Sequence, residues 1–263
     1  MIRVGVLGGG GRMGSTVCGA VSDAPDLELV AAVDPHHAGI DLRQIGIRGP
    51  GLVMAGRREA LLDAGAQVAV DFTELSAARG NLRWCAEQGI HAVVGTTGWD
   101  DDDLAELADL FDASTANAVL APNFAIGAVL MMRFAELAAP FFDSVEIIEL
   151  HHDGKIDAPS GTAITTAARI AAASSSWAAD PTSTWTLDSA RGAEGPAGIR
   201  VHSVRLRGLV AHQEVLFGAD GQTLTLRHDS LDRSSFMPGV LLAVKRVGER
   251  PGLTIGLDAL LDL

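Results

Sequence analysis

Cysteine is scarce in this sequence. Only Cys18 and Cys85 occur in 263 residues. Both fall in stretches with a helical pattern, which excludes a disulfide framework and predicts two buried, reduced thiols. Positive charge is also in short supply: 20 Lys and Arg stand against 33 Asp and Glu, a net charge of −13. A surface that acidic repels nucleic acid and anionic membranes. An anionic ligand must then be held by a local cluster of cations and backbone N–H groups. Long apolar runs are missing as well. No stretch reaches the roughly 18 uninterrupted apolar residues of a membrane span. The opening MIRVGVLGGG has a glycine run where a signal peptide needs its apolar core. A cytoplasmic protein without nucleic-acid or membrane partners is expected.

What the chain does have is apolar periodicity. With 48% apolar and 20% charged residues it is globular, and long enough for one large domain or two modest ones. Short apolar runs at 2–7, 28–34, 67–72, 91–95 and 117–121 alternate with helix-like stretches at 12–21, 58–65, 75–89 and 101–111. That alternation predicts right-handed βαβ units and an N-terminal Rossmann-like, doubly wound parallel sheet, giving an α/β fold. The acidic run Asp100 to Asp103 reads as a solvated helix N-terminus favoured by the dipole. The pattern changes after about residue 120. Residues 122–142 read as one long apolar helix with Asn123 as N-cap, followed by a strand at 144–152 and a helix opening at Ser160 or Gly161. Residues 174–198, rich in Ser, Gly, Pro and Thr, read as a long loop. Strands are expected at 200–208, 212–218 and 223–229, the last two joined by an Asp220-Gly221 hairpin turn. A closing helix is expected at 236–248. This second region is a smaller α+β domain with a mostly antiparallel sheet.

Two places carry chemistry. The first strand runs into Gly8-Gly9-Gly10-Gly11-Arg12-Met13-Gly14, which fits a dinucleotide fingerprint as Gly9-x-Gly11-x-x-Gly14 or Gly8-x-x-Gly11-x-x-Gly14. Glycines let the backbone approach a pyrophosphate, while the next helix offers N–H groups and its positive dipole end. Arg12 adds a cation to the turn. Asp34, at the end of the second strand, stands where a ribose-binding acid belongs. A carboxylate there repels a 2′-phosphate, and Pro35-His36-His37 supplies no arginine, which leans toward NAD over NADP. The loops Gly95-Thr96-Thr97-Gly98 and Ala121-Pro122-Asn123-Phe124 sit at the carboxyl ends of later strands, where ligands bind in open α/β sheets.

The second place is ELHHDGKIDAPSGTA at 149–163, with Glu149, His151, His152, Lys155 and Asp157 close together. If both histidines end a strand, their rings point to opposite faces. Gly161 and Thr162 open a helix whose first N–H groups make an anion site. Together these predict a cationic pocket for a small acidic substrate, with a histidine or the lysine as proton donor. A metal site is not expected: adjacent histidines cannot mimic an i, i+4 ligand pair, and no cysteine is near. Nor does Ala-Pro-Ser-Gly-Thr match a Gly-x-Ser-x-Gly elbow.

The runs GGGGRMG, DFT (71–73), VGTTG (94–98), APNFAIGAVL (121–130), ELHHDGKIDAPSGTA and VHSVRLRGLVAHQEVLFG (201–218), in this order, resemble the dihydrodipicolinate reductase family. The resemblance spans nearly the whole chain. It implies NAD(P)H-dependent reduction of 4-hydroxy-tetrahydrodipicolinate to tetrahydrodipicolinate in lysine and diaminopimelate synthesis. It further implies that residues 1–122 bind the nucleotide, with 232–263 packing back on them. Residues 123–231 would bind the small dicarboxylate and build a homotetramer through their sheet. His151 matches the family's proton donor and Lys155 its catalytic lysine, while His152, Gly161 and Thr162 match contacts to the substrate carboxylates. Gly8, Gly9, Gly10, Gly11, Arg12, Met13, Asp34, Gly95, Thr96, Thr97, Ala121, Pro122, Asn123 and Phe124 match cofactor contacts. One departure is Pro35, where some members carry an arginine; it weighs against a strong NADPH preference and leaves NADH use intact. Two other readings are another two-domain amino- or imino-dicarboxylate dehydrogenase and, further away, a non-catalytic NAD-sensing protein.

Overall fold

A computed structural model describes residues 1–47, 51–174, 176–188 and 190–261. The chain divides into two compact units, residues 1–126 with 236–263, and residues 127–235.

The first unit is a six-stranded sheet. Its strands are β1 (Ile2–Leu7), β2 (Leu27–Val33), β3 (Val68–Asp71), β4 (His91–Val94), β5 (Ala118–Leu120) and β11 (Leu253–Ile255). All neighbours are parallel, in the order β11-β5-β4-β3-β1-β2. Crossovers are made by α1 (Arg12–Asp23), α2 (Glu59–Asp63), α3 (Leu75–Gln88) and α4 (Asp101–Asp112). Val4, Val6, Val70 and Val93 have no exposed surface, as expected of parallel strands covered on both faces. The order of strands reverses beside β1, so a crevice opens at its carboxyl end, where the glycine run begins. Cys18 and Cys85 are buried free thiols, pushed up to about 12 chiefly by desolvation. The acidic run caps α4 through a reciprocal box in which Asp100 accepts from the Asp103 N–H and Asp103 from the Asp100 N–H. Strand β11 is not legible in the sequence; it adds an edge beside β5.

The second unit pairs a five-stranded sheet with α5 (Ile126–Ala138) and α6 (Gly161–Ala173). The strands are β6 (Ser144–His151), β7 (Ala193–Glu194), β8 (Arg200–Arg205), β9 (Ala211–Ala219) and β10 (Gln222–Ser230), in the order β10-β9-β6-β8-β7. Only β6 and β8 are parallel. Val145, Ile147, Val201, Val215 and Phe217 from one sheet face pack on Ala163, Ala167 and Ile170 of α6 and on Met131 and Ala135 of α5. The Asp220-Gly221 turn joins β9 to β10, with Gly221 at φ +76°.

Three expectations are corrected. The apolar helix starts at Ile126, because the Asn123 side chain accepts from the Ala125 N–H in a turn before the helix and is not its N-cap. It gives way at Ala139–Phe141 to a 3₁₀ turn holding Pro140. Strand β6 stops at His151, so His152 lies in the following turn, whose Lys155 N–H donates to the His152 carbonyl. The 174–198 loop contains β7 and a 3₁₀ turn at Pro196–Gly198; its Ser175 and Ser189 lie outside the described residues. α7 (Met237–Arg246) is the last α-helix among the described residues.

Candidate active site

In the first unit, β1 delivers the chain into a turn built by close approach. The Gly8 and Gly9 N–H groups donate to the Val33 carbonyl at 2.8 and 3.0 Å, and Gly8 takes φ +77°. Gly11 caps α1. A Cβ on Gly14 would lie 2.0 Å from the Gly8 oxygen, so only glycine lets α1 pack against the turn. Arg12 and Met13 open α1, with Arg12 exposed.

Asp34 holds this turn as well as facing the crevice. Its Oδ2 accepts from the Gly10 N–H at 3.1 Å and its Oδ1 from the His36 N–H at 2.9 Å. His37 Nδ1 stands 3.1 Å from Oδ1. Burial opposes ionisation, but these donors outweigh it and keep the carboxyl below its usual range. A cavity of about 730 Å³ is lined by Gly8, Gly11, Asp34, His36, Phe72 and Thr73 among others. Arg57 and Arg58 line it too, and no local pattern in the sequence marks them. The isolated pairing of Val33 with Ala55 brings this segment alongside the end of β2, a long-range placement with no local signal. The Arg58 guanidinium is engaged by the Gly80 carbonyl at 2.8 Å and lies 5.4 Å from the Trp84 ring centre. Arg57 is 84% exposed, with a loose 3.4 Å ion pair to Glu59.

The later strand ends come together around Phe72. A Cβ on Gly95 would lie 2.0 Å from that ring. Thr96 Oγ1 donates to the Thr73 carbonyl at 2.9 Å, and Phe124 stacks obliquely on Phe72 at 5.7 Å. The expected contacts Gly95, Thr96 and Phe124 thus join Phe72 and Thr73 at one edge. Thr97 follows Thr96 on the same loop, and Ala121, Pro122 and Asn123 lead into Phe124. Asp71, wholly within the core side of the DFT run, accepts from the Thr73 N–H and hydroxyl and from Asn81; burial raises its pKa.

In the second unit the proton-handling run is organised by a residue with 0% exposure, Glu149. It alternates with Val145 and Ile147 on the core side of β6. Arg205 forks onto its carboxylate, Nη1 to Oε2 and Nη2 to Oε1, both at 2.9 Å. The Ser160 N–H donates to Oε1 at 3.2 Å, and His151 Nδ1 lies 2.5 Å from Oε2. Burial disfavours the charge on Glu149, but Arg205, Ser203 and His151 overcome it and its pKa is lowered. His151 is also lowered, chiefly by burial, with Lys155 and Arg205 adding to that against the pull of Glu149. Lys155 Nζ donates to both carboxylate oxygens of Asp157 at 2.8 and 2.7 Å. Ser160 caps α6 by accepting from the Ala163 N–H, which puts Gly161 and Thr162 in the first turn, where N–H groups and dipole favour an anion. His152 is exposed beside this run. His151, Lys155 and the start of α6 therefore cluster in one unit, and residues 8–13, 34, 95–97 and 121–124 belong to the other. Glu149 and Asp157 were visible in the sequence as acids; Arg205 was not, because only the β6–β8 register sets it opposite His151.

Among the described residues no three His, Cys, Asp or Glu side chains converge as metal ligands, and no helix is long and apolar enough to cross a membrane. The family profile described as dihydrodipicolinate reductase, N-terminus, matches residues 2–124, and that described as dihydrodipicolinate reductase, C-terminus, matches residues 127–261. The 4-hydroxy-tetrahydrodipicolinate reductase of Nocardia farcinica is 57% identical over all of this chain and 99% of its own length. The enzyme of the same name from Streptomyces coelicolor is 55% identical over all of this chain and 98% of its own. A dipicolinate-bound dihydrodipicolinate reductase from Paenisporosarcina sp. TG-14 superimposes with a TM-score of 0.86 at 43% identity, covering 98% of this chain and 99% of that one. An amine dehydrogenase from Mycobacterium smegmatis, with a TM-score of 0.68 but 17% identity, shares the fold alone. Two profiles that together span nearly all residues, and relatives more than half identical end to end, place the chain in the dihydrodipicolinate reductase family.

Proposed function

We propose that the protein reduces 4-hydroxy-tetrahydrodipicolinate to tetrahydrodipicolinate with loss of water, a step in diaminopimelate and lysine synthesis. The observation that carries this reading is the cluster of His151, Lys155 and the α6 N-terminus around buried Glu149, in a chain of this family. A nicotinamide coenzyme supplies hydride to the substrate's C4. The turn at 8–13 suits its pyrophosphate, since Gly8 to Gly11 carry no side chain to hold the phosphates off and α1 opens directly after them at Arg12. Loss of water takes the C4 hydroxyl together with a hydrogen of the neighbouring carbon and leaves a double bond; once hydride has reached C4, His151 returns a proton to that neighbour. Lys155, positioned by Asp157, acts with His151 in that proton transfer, and the first turn of α6 at Gly161 and Thr162 binds the substrate carboxylates together with His152, which holds the ring in place for transfer.

Asp34 suits the ribose hydroxyls of NADH. Arg57, in the same cavity and largely exposed, is a cation able to meet a 2′-phosphate, so NADPH is accepted as well. The pairing that the stretch after Asp34 failed to offer comes from a different part of the chain. Residues 1–122 with 232–263 serve as the nucleotide domain and 123–231 as the substrate domain of a cytoplasmic homotetramer. Ile148, Leu150, Val204 and Leu216, partly exposed on the sheet face away from α6, support assembly through that sheet.

The test is loss of nicotinamide absorbance with freshly made substrate and each coenzyme in turn. His151→Gln and Lys155→Ala should each lower kcat by about 100-fold or more while nucleotide affinity is kept. Full activity in both variants refutes the assignment, and turnover of aspartate or diaminopimelate with NAD in place of this reaction refutes the substrate.

A further inference from the structure

We infer that Glu149 and Arg205 are a positioning pair for His151: the carboxylate commits Nδ1 so that Nε2 carries the proton to substrate, and the guanidinium forked onto that carboxylate stops it from holding the proton back. This rests on the reading of His151 as proton donor and adds two residues that the reaction itself does not name.

The geometry begins with alternation. Residues 149 and 151 share a face of β6, so the imidazole reaches back onto a carboxylate with no exposed surface. A buried charge among Val145, Ile147 and the α6 residues is costly unless fully paired. Stability alone would be served as well by an apolar side chain. Glu149 instead gathers three elements: Arg205 from β8, the Ser160 N–H at the start of α6, and His151. Arg205 goes further, donating to the Asp157 carbonyl at 2.7 Å, which ties the turn carrying Lys155 to the same cluster.

Burial sets the direction in which His151 shifts, and the charges facing the ring act on top of it. Glu149 alone would stabilise the imidazolium and make a reluctant acid. Arg205 offsets that carboxylate, and Lys155, whose own partner is Asp157, adds a second cation nearby. The β9 residue paired with His151 is Ala211, which brings no charge. His212 beside it pairs with Leu150, so its ring belongs to the opposite face, on Asp229. The N-terminal end of α6 disfavours a further positive charge. Burial first, with Lys155 and Arg205 adding to it against the pull of Glu149, keeps His151 below the ordinary histidine range. The ring remains 16% exposed. In transfer the Nε2–H bond breaks and its electron pair stays on Nε2, while the C=C pair of the enamine left by hydride addition at C4 becomes the new C–H bond. A neutral imidazole is left with its Nδ1–H on Glu149.

The experiment measures kcat/KM against pH, and the His151 ring titration by NMR, in Arg205→Met, Arg205→Lys and Glu149→Gln of the full chain; His151→Gln assigns the resonance. Arg205→Met should raise the His151 titration, and with it the alkaline limb of the rate profile, by about one unit, and lower the plateau about tenfold. Arg205→Lys should restore most of both. Glu149→Gln should move the titration down and cut kcat by about 100-fold, with KM changed far less. An unmoved titration in folded Arg205→Met overturns the inference. Should that variant not fold, an unmoved titration in Glu149→Gln overturns it instead. Loss of turnover in His151→Gln alongside an unmoved Arg205→Met removes only the positioning pair, whereas full turnover in His151→Gln removes the proton donor itself.

Discussion

Two glycines of one helix should respond oppositely to the same substitution. At Gly14 of α1 an added Cβ lies 2.0 Å from the Gly8 oxygen, 2.6 Å from the Gly8 carbonyl carbon and 3.0 Å from Gly9 Cα. All three are backbone atoms of the nucleotide turn, so no side chain can swing aside. Restoring ordinary contact near 3.4 Å requires α1 and the turn to separate by about 1.4 Å. Overpacking of this kind costs about 1–3 kcal/mol, or about 2–4 °C of melting temperature per kcal/mol for a chain of this size. The same displacement draws the first-turn N–H groups away from a bound pyrophosphate. Two charge-assisted hydrogen bonds weakened by about 1.5 kcal/mol each correspond to roughly 100-fold in Kd for NADH. At Gly19, also in α1, an added Cβ meets nothing within 4 Å. Gly19→Ala should therefore gain about 0.5–1 kcal/mol from helix propensity and leave NADH binding alone. Thermal melts and calorimetric titration with NADH separate the cases. A Gly14→Ala protein that melts as high as Gly19→Ala and binds NADH like the parent refutes the close-approach argument.

Arg57→Ala should raise KM for NADPH about tenfold, the worth of one phosphate contact, with KM for NADH changed less than about twofold; equal effects on both coenzymes would show that Arg57 does not meet the 2′-phosphate. Ser160→Ala removes the acceptor of the Ala163 N–H and should cost about 1 kcal/mol, seen as a lower melting temperature that Ser160→Asn largely recovers. Asp34 ionises more readily folded than unfolded, despite the opposing effect of its burial, because His37 and the His36 and Gly10 N–H groups hold its charge. Its contribution is thus present above the unfolded aspartate range, near pH 4, and is lost as pH falls through the lower folded value. Asp34→Asn should flatten the acid limb of the stability–pH curve measured by denaturant titration, and an unchanged slope would contradict the pairing.

Much of the local structure was legible because its causes lie within a few residues. The glycine turn after β1 follows from what a Cβ would strike. The capping box at Asp100 and Asp103 needs only a three-residue spacing, and the Asp220-Gly221 hairpin only a residue that accepts positive φ. His151, Lys155 and Ser160 could be singled out for the same reason: they share one short run whose residue types announce proton transfer and a helix start. The start of the helix at 126 is not legible, because apolar composition marks burial but not the first helical residue, and Asn123 spends its side chain on an earlier turn.

The rest depended on which distant segments lie side by side. Arg205 meets Glu149 because β8 pairs in parallel with β6 in one register, and a slip of one residue would send it to the other face. Arg57 reaches the crevice beside Asp34 through an isolated pairing of Val33 with Ala55, and β11 becomes a strand only by finding the open edge of β5. Sequence by itself determined the residue types and the local turns that make chemistry possible. Tertiary structure decided which charges face one another, because backbone register and burial, rather than separation along the chain, set the distances over which those charges act.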